Sequence, residues 1–112
     1  MAVYRTVLVK AEISRGGFSN ERTYTLQTPN GPQSGLAPWI YCFDKHLVHV
    51  KEEPPEEKVI KGFVQADVIS DMPSGMVKLS LPGNDVYIVN KDQLDEKRSV
   101  PKLPEDYASV SV

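Results

Sequence analysis

Proline and glycine interrupt this chain so often that no part of it reads as a long helix. Nine prolines and seven glycines fall among 112 residues. Proline removes a backbone donor and glycine loosens the backbone. What remains between them are short runs rich in β-branched and aromatic residues, the composition of strands.

The runs can be read in order. In residues 3–13, Val3, Val7, Val9 and Ile13 share one strand face. Arg15 to Asn20 form a turn cluster, and Thr23–Thr28 alternates, apolar at Tyr24 and Leu26. Pro29–Gly35 reads as a loop. Trp39–Phe43 is a dense apolar strand, and His46–Val50 a short one. Val59–Ser70 is a strand with Gly62 as a candidate bulge. Asp71–Gly75 and Pro82–Asp85 are turns around Val77-Lys78-Leu79-Ser80-Leu81, the cleanest half-buried alternation in the chain. Val86–Val89 is a strand, and Asn90–Leu94 a single helical turn.

Between these halves lies Lys51-Glu52-Glu53-Pro54-Pro55-Glu56-Glu57-Lys58, a solvated linker or an acidic surface loop. The chain divides into an N-terminal β unit (1–50), this segment (51–58), a C-terminal β unit (59–94) and a flexible tail (95–112). The two units echo each other. Ala11-Glu12-Ile13 answers to Ala66-Asp67-Val68, Tyr24–Pro29 to Val77–Pro82, and Trp39–Leu47 to Val86–Leu94. Each unit holds about three strands that cannot bury both faces alone, so the units pack together or each curls into a minimal barrel.

The second unit resembles small SH3-like barrels, in Val77–Leu81, the Pro82–Asp85 turn, Val86–Val89 and the turn ending at Leu94. The resemblance implies a superfold rather than a function. The expected fold is all-β: a small barrel or two-layer β meander of about six or seven strands, in one form two fused SH3-like half-barrels.

Composition excludes several roles. The net charge is −2, whereas nucleic-acid binders are usually basic. Residues 1–50 carry five basic and three acidic groups, and residues 51–112 carry eight and twelve. Cys42 is the only cysteine, so no disulfide forms within the chain. No run approaches the roughly 20 apolar residues of a membrane span, and the start of the chain lacks a signal-peptide layout. The expectation is a cytoplasmic protein away from membranes.

Chemistry has few candidates. His46 and His49 point to opposite faces of a strand and do not make a metal pair. Cys42 reads as a small buried hydrophobe. No nucleophile motif or phosphate loop is present, so no enzyme, cofactor or metal is expected. Trp39, Tyr41 and Phe43 would share a strand face, either running through the core or forming an aromatic contact patch. The expected function is a non-catalytic binding or assembly module. Its partner would be another protein, met by Phe18, Asn20, Asn30, Trp39, Tyr41 and Phe43. The alternative is binding of single-stranded nucleic acid, through aromatics beside Arg5, Lys10, Arg15, Arg22 and Lys45. Residues 3–13 could pair as an edge across a homodimer. Arg98-Ser99-Val100-Pro101-Lys102-Leu103-Pro104 fits a motif for a polyproline-reading groove, and Val110–Val112 could be captured by strand addition.

Overall fold

A computed structural model of the chain describes residues 5–15, 21–50 and 59–101. Among these, eight antiparallel strands form one sheet, nearly closed into a barrel. The strands are β1 (Arg5–Arg15), β2 (Glu21–Thr28), β3 (Gly31–Pro38), β4 (Cys42–Asp44), β5 (Ile60–Met72), β6 (Met76–Leu81), β7 (Asp85–Asn90) and β8 (Leu94–Asp95). The sheet order is β3-β2-β1-β5-β6-β7, with β4 added to β5 and β8 to β1. No helix among the described residues is long and apolar enough to cross a membrane.

Alternation sets the core. Val7, Val9, Ala11 and Ile13 on β1 face Val64, Ala66 and Val68 on β5, with Leu79, Val89 and Leu94 closing around them. A second, smaller cluster lies on the other face of the central pair. There Leu8, Phe43 and Phe63 are covered by Leu47 and Val100. The Asn84 backbone turns with φ near 67° beside Gly83 at 94°, which lets β6 and β7 join tightly.

The ladders of the two halves correspond pair by pair. Ile13↔Tyr24 on β1 and β2 answers to Val68↔Leu79 on β5 and β6. Arg22↔Ala37 answers to Val77↔Val89. Cys42↔Val64 answers to Leu94↔Val9, and Phe43↔Phe63 to Asp95↔Leu8. The pair Val9↔Val64 lies at the centre of this arrangement. Each half thus sends its last short strand onto the first strand of the other half. The ladders also shift the echo read in the sequence: Tyr24 corresponds to Leu79 rather than Val77, and Cys42 to Leu94 rather than Val89.

Several local expectations are corrected. Trp39–Phe43 is not one strand. Trp39–Tyr41 form a 3₁₀ turn after Pro38, and only Cys42–Asp44 is extended. Residues 31–35 are not loop but the first part of β3, because Gly31 (φ 104°) completes the turn at once and the chain pairs from Thr28↔Gly31 onward. His46–Val50 is a turn with a single bridge, Phe43↔His49, since Leu47 adopts φ near 61°.

Gly62 is not a bulge. It stays in register with Ala11 and Asp44, while the irregularity falls between Val68 and Ser70. Nor is β1 an edge. It is flanked by β5 along Arg5–Ile13 on one side, and on the other by β8 at Leu8–Val9 and by β2 at Glu12–Arg15. Of the tail, only residues 95–101 are described: Asp95 pairs with Leu8 of β1, Val100 packs on the smaller cluster, and Arg98 donates to the Lys45 carbonyl at 2.8 Å.

Candidate functional site

The aromatic group of the first half separates because the 3₁₀ turn breaks the strand. Phe43 is fully buried in the smaller cluster and cannot meet a partner in the folded protein. Trp39 and Tyr41 are half-buried. The His49 ring lies between Trp39 (5.5 Å, edge-on) and Phe43 (4.8 Å, tilted). His49 is therefore part of a packed aromatic group, while His46 is exposed. Asn30 is exposed at the β2–β3 turn, where its N–H donates to the Thr28 hydroxyl at 3.2 Å. Phe18 and Asn20 lie outside the described residues, as do the rest of the 16–20 turn, the 51–58 segment, the second proline of the tail motif and Val110–Val112.

Two ionisable side chains of the first half lie in the interior. Cys42 is buried, and burial pushes its thiol up to about 12 against the opposing pull of the Arg22 charge. Arg22 is itself fully buried at a core position of β2, and it donates to the Glu21 carbonyl at 2.8 Å. It is thus not a surface cation. Among the described residues, no group of three His, Cys, Asp or Glu side chains gathers to hold a metal ion.

The ends of the sheet meet through side chains. The Tyr24 hydroxyl lies 3.2 Å from that of Tyr87 and 3.4 Å from an Asp85 carboxylate oxygen. The Tyr87 hydroxyl reaches the Ser34 carbonyl at 3.5 Å. Burial first, then Tyr87 and Asp85, hold the Tyr24 proton well above the ordinary phenol range. Gly35 makes this clasp fit: a Cβ there would lie 2.5 Å from the Tyr24 hydroxyl and 2.9 Å from that of Tyr87.

Beyond the clasp the seam opens into a groove of about 420 Å³. One wall is Asn30 and Gln33. The other is Met76, Lys78, Val86 and Ile88. Among the described residues, β3 pairs only with β2 and β7 only with β6. Val86 and Ile88 stay 48% and 38% exposed on β7. No sequence motif marks this groove. The only hint is two apolar residues, Val86 and Ile88, at alternate positions of a strand whose other face supplies the core.

A second groove, of about 290 Å³, lies over the central pair of strands. Lys10, Lys45 and Lys61 rim it, and Ala11, Gly62 and Phe63 form its floor. Register explains the gathering: Lys10 stands opposite Phe63 on β5, and β4 lays Asp44, next to Lys45, opposite Gly62.

Comparison with family models, with curated proteins and with solved structures finds no match to this chain.

Proposed function

We propose that the protein is a non-catalytic binding or assembly module that takes an extended segment of another protein along the seam beside β7. The observation that carries this is the outer edge of β7, unpaired among the described residues, beside the exposed Val86 and Ile88. A strand edge offers a row of donors and acceptors, and an extended peptide completes them. Alternate side chains of the guest would then lie on Val86, Ile88 and Met76, while Asn30 and Lys78 offer polar contacts at the rim.

Under this reading the two halves are copies of one SH3-like unit. Three observations support that: the paired ladders, a 3₁₀ turn before the last short strand of each half, and the exchange of those strands. The duplicated frame supplies a rigid sheet, and the seam supplies the contact.

Nucleic acid is the weaker reading. Phe63, the aromatic residue at the lysine groove, is 8% exposed, and the Arg98 guanidinium lies 4.8 Å from its ring centre. A base has no ring face to stack on there.

The test is selection of binders from a random peptide library, followed by mapping with amide NMR shifts. Enriched sequences should alternate apolar residues and shift Val86–Val89. The double variant Val86→Lys/Ile88→Lys should lose capture by about tenfold or more while melting as the parent does. Peptides that map elsewhere, or a chain that sediments as a dimer through this edge, would refute the reading.

A further inference from the structure

The lysine groove has a counterpart on the other half. By the ladder correspondence, Glu12↔Thr25 answers to Asp67↔Ser80. A third groove, of about 250 Å³, lies at Gln65, Ala66, Asp67 and Ser80, with Tyr41 of the 3₁₀ turn beside it. Gln93, from the corresponding 3₁₀ turn, lines the first groove. Both hollows arise the same way. A central strand parts from the short strand of the other half and takes up the next strand of its own hairpin. The space left at that fork is the groove.

The two forks differ in chemistry. The first gathers Lys10, Lys45 and Lys61, with Glu12 as the carboxylate in its lining. The second holds no lysine, and its charged residue is Asp67. None of the three lysines forms an ion pair with a described residue. Three cations against the single carboxylate of Glu12, above an apolar floor, favour a guest that carries both an anionic head and an apolar body.

We propose that this groove binds small organic acids, a carboxylate or sulfonate borne on an aromatic ring or short alkyl chain. The apolar body would fill the hollow beside Ala11, Gly62 and the rim of Phe63 without stacking on its ring, and the head would lie among the three ammonium groups. A volume of about 290 Å³ sits at the small end of ligand pockets, so a long lipid chain does not fit. The site is separate from the β7 seam, and its failure would leave the peptide reading untouched.

Anilinonaphthalene sulfonate is the probe, followed by equilibrium dialysis on the whole chain, with neutral phenylnaphthylamine as the uncharged control. The double variant Lys10→Gln/Lys61→Gln should weaken binding of the anionic probe by about tenfold, the scale of lost charge-assisted contacts. It should not change capture of the neutral probe. Both substitutions are at exposed positions, so the fold should hold, and an unchanged melting curve checks this. Ser80→Tyr, which fills the uncharged groove, should leave the anionic probe bound as before.

Any one of five results would overturn the proposal, the first four with small molecules. These are equal binding by the lysine variant, loss on Ser80→Tyr, neutral probe held as tightly as the anionic one, or displacement by inorganic sulfate at matched concentration. Tighter, length-dependent capture of a single-stranded oligonucleotide by the same lysines would also overturn it, in favour of a macromolecular anion.

Discussion

Cys42 illustrates how burial turns a reactive group into packing. Its thiol should resist a disulfide reagent in the folded protein and react only at the rate of unfolding, which stopped-flow labelling measures. Alkaline pH gives a second check. An unfolded thiol loses its proton near pH 9, whereas in the fold it is held to about 12. Between those values the unfolded state binds fewer protons, so stability should be full below pH 9 and fall as pH rises. Tyr24, raised from its ordinary value of 10, adds to the same decline. Urea denaturation should therefore show a flatter pH dependence for Cys42→Ala/Tyr24→Phe. Gly62 makes another prediction. An added methyl would overlap the Phe43 carbonyl oxygen, with Asp44 Cα also close at 3.1 Å, and both are backbone. Gly62→Ala should cost about 2–3 kcal/mol in chemical denaturation. The apolar character of Cys42 was readable from its neighbours. The role of Gly62 was not, because only the approach of β4, distant in sequence, makes a side chain there impossible.

Strict alternation made β6 and β7 legible, as it did the core face of β1. The turn between β6 and β7 carries Gly83 and Asn84 where φ is positive, so local chemistry and tertiary packing agree there. The Trp39–Phe43 run misled because periodicity cannot distinguish a short apolar strand from an apolar turn. Pro38 at φ −57° leads directly into the turn, and the apolar residues on both sides of the supposed strand pack against different surroundings. Residues 31–35 misled in the opposite way. Glycine and proline suit an edge strand, where Pro32 needs no donor toward the open side. Neither groove could be read locally. Lys10, Lys45 and Lys61 meet only through the pairing of β1, β4 and β5. Short β8 is the element whose weight is easiest to underestimate. Leu94 is buried against Val9, so Leu94→Ala should cost about 2–4 kcal/mol. Thermal melts compared with Val86→Ala, an exposed control, would measure this.

The whole molecule is one sheet made by mutual loan. Neither half can complete the flank of its own first strand, because β4 covers β5 and β8 covers β1. A protease site placed within residues 51–58 should therefore yield two fragments that remain together on gel filtration after cleavage. Each fragment alone should lack the strand signal in circular dichroism, and mixing should restore it; independent folding of either piece would contradict the architecture. The same loan also bears on how the protein is made. Its pairing of Val9 with Leu94 spans most of the described sheet, so the barrel cannot close until Leu94 has been translated. A nascent chain of this kind must wait for β8 to clear the ribosome before β1 is sheltered.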